Sequence, residues 1–438
     1  MIEDTSTEDT STDVFASLES EVRSYCRAFP AVFRQASGCW LVDKDGRRFL
    51  DFFSGAGTLN YGHNQPLFKQ RLIDYLNQDG ITHALDMATV AKRDFLTAFK
   101  RLILEPRGLD YKVQFTGPTG TNAVEAALKL ARKVTRRTNV LFFHNAYHGM
   151  TLGALAVTGS AAKRRGAGVP LGHTVAVPFD GGDGGDASIA YIERVLDNSS
   201  SGVDLPAAAI VETVQAEGGV NVASFAWLER LAELLRQRGI LLILDEIQVG
   251  CGRTGPFFSF EPTAVRPDLV CLSKSISGFG LPMALVLIRP ELDIWAPGEH
   301  NGTFRGNNLA FLTAAAALDY WRDDSLTRAV LRKAELAGAR LREIAARHPD
   351  AAPRVRGRGL IQGLELQPAG LAERVAAAAF RRGLMIETVG ARDEVLKLLP
   401  PLVIEDAELE LGLRILEESI AEQIAAADEP ATLSRARR

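Results

Sequence analysis

The chain has 438 residues, with 50 Lys plus Arg against 54 Asp plus Glu and a formal charge of −4; that length predicts two units, one large and one small, rather than one core. The near balance excludes the basic footprint of a nucleic-acid-binding protein. No apolar run approaches a membrane span, and the polar start (Glu3, Asp4, Glu8, Asp9) is the opposite of a signal or transit peptide, so a cytoplasmic protein with no nucleic-acid or membrane partner is expected.

In chain order, residues 1–14 are Thr-, Ser-, Asp- and Glu-rich and predict a disordered tail. Leu18–Tyr25 predicts a short helix. Two short strands around the Asp45-Gly46 turn predict a hairpin within an N-terminal segment, residues 15–59, that joins the smaller unit. The glycine run Ser54–Gly57 and Asn60–His63 follow as flexible backbone that could approach a ligand. Residues 60–325 alternate apolar runs with amphipathic stretches, which predicts an α/β unit with a mostly parallel sheet. Within it, the likely strand at 112–115 leads into a Gly/Thr-rich turn and the strong helix from Ala123. A helix start of this kind presents free N–H groups and a positive dipole end, so it is an anion site to which Thr119 and Thr121 add hydroxyls; simple N-capping occupies the same place. Val140–Phe143 ends at Tyr147-His148, where an aromatic side chain can stack on a planar ring or do no more than pack. Gly181–Gly185 lacks the spacing of a dinucleotide-binding loop. The strand from Ala207 runs into Glu212 and Glu217, two acids on a Gly-containing loop that hold a cation or are merely solvated.

Ile240–Leu244 is unbroken apolar sequence ending in Asp245, a strand buried on both faces that delivers a carboxylate at its C-terminal end, where open α/β sheets keep their ligands. Leu269–Leu272 does the same for Ser273 and Lys274. A lysine amine condenses with aldehydes, and an acid beside a pyridine nitrogen keeps that nitrogen protonated; pyridoxal phosphate (PLP) uses both groups. The alternative for each pair of strand ends is an ordinary surface ion pair. Residues 326–427, with helices and glycine-punctuated strands, predict a smaller C-terminal α+β unit, and 428–438 a frayed tail. Cys26, Cys39, Cys251 and Cys271 are widely spaced and predict reduced packing residues with no metal or disulfide framework.

Asp245 and Lys274, taken with the Thr119-Gly120-Thr121 loop, Tyr147-His148-Gly149 and Thr303-Phe304-Arg305-Gly306-Asn307 in this order, resemble the class III PLP-dependent aminotransferases of fold type I. The match runs from about Val32 to Leu416. The segments 55–63, 117–127, 250–255 and 301–306 look most like the diaminobutyrate–2-oxoglutarate aminotransferases of ectoine biosynthesis. The resemblance implies that Lys274 holds PLP as a Schiff base and moves protons. It implies that Asp245 pairs with the pyridine nitrogen, Gln248 with the ring hydroxyl, Gly120 and Thr121 with the phosphate, and that Tyr147 stacks on the ring with His148 beside it. Glu212 lies where the family has an acid near the cofactor, and Glu217 where it has a switch near the substrate. Thr303 would reach the cofactor phosphate of a neighbouring subunit, which implies a homodimer or larger homo-oligomer with shared sites.

Two departures concern substrate contacts: Lys397 stands where the family usually has an arginine for the α-carboxylate, losing the bidentate fork, and Ala216 stands within what is more usually Gln-Gly-Glu. The implied reaction transfers the amino group of L-glutamate to L-aspartate 4-semialdehyde. The rival readings are an ω-aminotransferase for ornithine, 4-aminobutyrate or another diamine, an aminomutase or epimerase on the same scaffold, and a non-catalytic PLP-binding paralogue.

Overall fold

The computed structural model describes residues 13–181 and 185–428. Most of the expected N-terminal tail, nearly all of the expected C-terminal one, and 182–184 of the glycine loop lie outside the described residues. Its centre is a seven-stranded sheet in the order Lys112–Phe115, Leu285–Ile288, Leu269–Leu272, Leu241–Asp245, Ala208–Val211, Val140–Phe143, Thr174–Val177. Only Leu285–Ile288 runs against its neighbours. That run is unassigned from sequence, because a short apolar segment without alternation carries no helix or strand period.

Alternate residues of the buried strands supply the two faces of this sheet. Ala208, Ile210, Ile243, Leu269 and Cys271 pack with Ala123, Ala127 and Leu130 of the helix Gly120–Thr135, whose alanines let it lie close to the strands. Ala209, Val211, Leu242, Leu244, Val270 and Leu272 pack with Trp227, Leu228 and Leu231 of the helix Phe225–Gln237. Each buried Leu or Ile contributes about 1.5–3 kcal/mol, and strands covered on both faces have no polar side. Their first polar residues therefore fall at the C-terminal rim.

The C-terminal region builds the antiparallel sheet Arg354–Arg358, Ile361–Glu365, Val395–Leu398, Glu387–Val389. The N-terminal strands Phe33–Ser37, Trp40–Asp43 and Arg48–Asp51 form another, to which Leu384–Met385 adds in parallel. The single strand expected over Leu384–Glu387 is thus divided: a break at Ile386 sends its two ends to different sheets. The helix expected over Leu18–Tyr25 is replaced by Asp13–Leu18 and Tyr25–Ala28 with a turn between them. Leu18 and Val22 are 81% and 88% exposed. A short helix with no apolar face to bury does not offset its nucleation cost.

Arg253 ties these parts together. Fully buried, it donates to Leu360 O at 2.9 Å, Pro400 O at 2.6 Å and Asn60 Oδ1 at 2.6 Å. Arg253→Met leaves three buried acceptors without a donor, so it should cost about 3 kcal/mol or more, read as a lower urea midpoint; an unchanged midpoint would show that the clamp is dispensable. Among the described residues no helix is long and apolar enough to cross a membrane, and no group of His, Cys, Asp and Glu could hold a metal ion.

Candidate active site

Five strand ends converge on one cavity of about 340 Å³, lined by Gly120, Thr121, Tyr147, His148, Glu212, Glu217, Asp245, Gln248 and Lys274 among others. These are nine of the eleven residues singled out from sequence. Asp245 is opposite Cys271 in the parallel register of adjacent strands, so Lys274, three residues beyond Cys271, reaches the same rim.

Lys274 has φ +53°, a left-handed conformation unusual for a residue with a side chain. The turn is held from both sides: Ser273 Oγ donates to Met283 O at 2.8 Å, and Ser275 Oγ to Gly57 O at 2.6 Å. Burial lowers the pKa of the Lys274 amine, although Glu217 pulls the other way, and the neutral form is the one that adds to a carbonyl.

Asp245 is oriented by two donors. His148 Nδ1 lies 2.7 Å from its Oδ2 and the Ile247 N–H donates to its Oδ1 at 3.0 Å. The buried His148 ring resists charging, but the hydrogen bond to Asp245 and its charge outweigh burial and raise its pKa. Its Nε2 is buried with no hydrogen-bond partner among the described residues. Glu212 accepts from the Tyr147 N–H at 3.0 Å, and burial pushes its carboxyl up to about 8, so near neutral pH it is a proton-bearing group under Tyr147 rather than a free anion.

Gly120 and Thr121, which line the same cavity, open the helix Gly120–Thr135, whose first N–H groups have no partner within the helix. Thr121 Oγ1 lies 2.7 Å from Thr151 Oγ1, which donates to Glu125 Oε1 at 2.6 Å. Space at Gly120 is tight: a Cβ there would stand 3.0 Å from two side-chain carbons of Ile247, which would have to give way. Ile247, Thr151 and Glu125 are supporting residues that sequence reasoning missed; the signal for Ile247 was its place two residues after Asp245.

Glu217 sits on the turn between the short paired strands Val214–Gln215 and Asn221–Val222. Its Oε1 accepts from Lys397 Nζ at 2.6 Å and from Gln248 Nε2 at 3.2 Å. Lys397 lies behind the cavity wall, fully buried, and also approaches Glu387 Oε1 at 3.0 Å. It reaches the site through Glu217 and through Gln248, whose Oε1 accepts from Lys397 Nζ at 3.1 Å. Thr303 lies outside this cavity, in an exposed loop whose Phe304 is 67% exposed and packs edge-on against His83 with ring centroids 5.3 Å apart.

The class-III aminotransferase family pattern matches residues 23–420. A diaminobutyrate–2-oxoglutarate transaminase of Nocardia farcinica is 60% identical over 411 residues, 93% of this chain and 94% of that protein. A protein of the same name from Bordetella parapertussis is 57% identical over 415 residues, 94% of this chain and 95% of its own. A Toxoplasma gondii ornithine aminotransferase structure, described as having partial occupancy of PLP at the active site, superposes with a TM-score of 0.80 at 27% identity and covers 94% of both chains. The chain belongs to the class-III aminotransferases.

Proposed function

We propose that the chain is a PLP-dependent transaminase that takes the amino group of L-glutamate, releasing 2-oxoglutarate, and delivers it to L-aspartate 4-semialdehyde to give L-2,4-diaminobutyrate. The observation that carries this reading is the convergence of Lys274, Asp245 and the helix start at Gly120 on one cavity, in a chain that full-length diaminobutyrate transaminases match at 57–60% identity.

The residues fit PLP. Gly120 leaves its place beside Ile247 open, the helix start offers N–H groups to a phosphate, and the Asp245 carboxylate in the same cavity is already oriented by His148. When bound, PLP supplies an electron sink for the substrate carbon. The Asp245 carboxylate would keep a proton on the ring nitrogen, and His148 orients that carboxylate. Gln248, held by Ala56 O at 2.9 Å, presents its amide beside the ring. Tyr147, which lines the cavity, would cover one ring face and keep water from it. Lys274 Nζ, whose pKa burial lowers, would anchor the cofactor and would hold and return the proton moved at the substrate carbon. Glu217, paired with Lys397, opens when a carboxylate sits on the reacting carbon and closes when none does.

Asp245→Ala should lower kcat by on the order of 10³-fold, with cofactor retained through Lys274 and the helix start. Activity within threefold of the parent would remove Asp245 from the mechanism. We also place Thr303 at a neighbouring subunit's cofactor in a homodimer. Its exposure, and that of the nearby apolar side chains Leu85 and Phe304, supports that placement; analytical ultracentrifugation showing a monomer at working concentration would refute it. A cytoplasmic enzyme feeding ectoine synthesis completes the reading. The direct test is amino-acceptor specificity with glutamate as donor: aspartate 4-semialdehyde should exceed glutamate 5-semialdehyde and succinate semialdehyde in kcat/KM.

A further inference from the structure

Two buried carboxylates share a single ammonium behind the substrate position. Glu387 and Lys397 are direct cross-strand partners, while Glu217 reaches the same Nζ from its own turn at 2.6 Å. Lys397 spends its remaining donors on Gln248 Oε1 at 3.1 Å and on the approach to Glu387 Oε1 at 3.0 Å. That last contact lacks hydrogen-bond geometry: Glu387 Oε1 is buried with no hydrogen-bond partner among the described residues. The trio is therefore one charge too negative before any substrate arrives.

A second cavity of about 830 Å³ shares Tyr147 and Glu217 with the first and has Glu387 in its wall. It adjoins the cavity that Lys274 lines, so a group borne by a substrate carbon held at Lys274 would lie against it. L-Glutamate carries a carboxylate on that carbon, whereas the semialdehyde carries none. A third carboxylate beside one ammonium, in a half-buried site, is strongly disfavoured unless a proton comes with it.

We propose that Glu387 accepts that proton, so that the amino donor's carboxylate enters together with one proton from solvent and the proton leaves again when the keto acid departs. The assignment rests on the transaminase reading above and adds to it a specificity-determining residue: Glu387 ionised favours the acceptor, whose reacting carbon bears no carboxylate, and Glu387 protonated favours glutamate. Over a full cycle, uptake and release cancel.

Glu387 is a better acceptor than Glu217 for structural reasons. Glu217 has two hydrogen-bond donors and faces both Lys397 and Lys274. Those charges overcome its burial and hold it below the usual carboxylate range. Burial pushes Glu387 up, the Glu217 charge adds to that, and Lys397 and Lys274 offset it only in part. The Tyr25 phenol also faces Glu387, and its pKa is pushed up by burial and by the same two carboxylates. Lys163, Glu373 and Asp393 line the same cavity.

The test is calorimetric titration of the PLP-loaded protein with glutarate, a dicarboxylate with no amino or keto group. Titrations at about pH 8, where an ordinary carboxyl is fully ionised, are run in two buffers of different ionisation enthalpy. Uptake approaching one proton per glutarate is expected. In Glu387→Gln, which keeps the size and removes the charge, uptake should fall to near zero and glutarate should bind about tenfold or more tightly, the pH dependence of its affinity being lost. Glutarate binding to the parent protein without proton uptake overturns the proposal and leaves the transaminase reading intact, and this arm needs no variant to fold. Uptake that persists in Glu387→Gln but vanishes in Glu217→Gln assigns the proton to Glu217 and overturns it as well. Failure of the loaded protein to bind glutarate, together with no response of its cofactor absorbance to L-glutamate, would overturn the underlying function.

Discussion

Lys274→Ala should yield a folded protein without the yellow absorbance of the bound cofactor and with kcat reduced by about 10⁴-fold or more. In the proposed mechanism anchoring and proton transfer both depend on Nζ, and a positioned acid–base group alone accounts for about 10²–10⁴. The fold should survive, because the turn is held by Ser273 and Ser275 and the side chain is half-buried at a cavity rather than packed in a core. The left-handed φ at 274 remains for alanine, so no stability gain is expected and the melting temperature should stay within a few degrees. Borohydride treatment of the parent should fix the cofactor to a peptide containing Lys274 and should fix none in the variant. Retained turnover would remove Lys274 from both roles.

The second large effect belongs to Lys397. From sequence it is a replacement for an arginine that binds a substrate carboxylate, and Lys397→Ala should therefore raise the KM for glutamate, by about tenfold to a hundredfold for the loss of a charge-assisted contact. The structure adds a cost to folding. Lys397 is fully buried between Glu217 and Glu387, and its removal leaves two carboxylates in an apolar wall made by Val220, Val389, Val395 and Leu399. Breaking a buried ion pair in this way costs about 3–5 kcal/mol. The pair's attraction raises the lysine pKa against its burial, so the ammonium stays charged throughout the working pH range. Adding Glu217→Gln and Glu387→Gln to Lys397→Met should recover most of the stability while the glutamate KM stays high. Full stability in Lys397→Ala alone would mean that the two acids are solvated in the folded state.

The parts of the site written at strand ends were legible because a strand buried on both faces has no polar residue until it leaves the sheet. Asp245, Lys274 and Glu212 each stand out as the first charged group after an apolar run, and Tyr147 follows the same logic after Val140–Phe143. The α/β class and its mostly parallel sheet followed from the same runs alternating with amphipathic helices. Glu387 was not legible. Its role depends on pairing Glu387–Val389 with Val395–Leu398, and the expected strand had it on the end of Leu384–Met385, whose partner is the N-terminal sheet. A period of two tells which face a residue takes but not which strand it meets. The orientation of Asp245 by His148 was hidden for a similar reason: the two are 97 positions apart and meet only because their strands end on one rim. Leu285–Ile288 was missed because so short an apolar run carries no period of its own, and its direction against its neighbours shows only in the pairing.

The central claim is a two-step amino transfer through one site, and the most direct test is the absorbance of the PLP-loaded protein during sequential addition of its two substrates. L-Glutamate should bleach the yellow band, and L-aspartate 4-semialdehyde added after removal of glutamate should restore it, with 2-oxoglutarate and 2,4-diaminobutyrate formed in equal amounts. A band that glutamate leaves unchanged would contradict the transaminase reading, and one that bleaches but does not return with the semialdehyde would contradict the assigned acceptor.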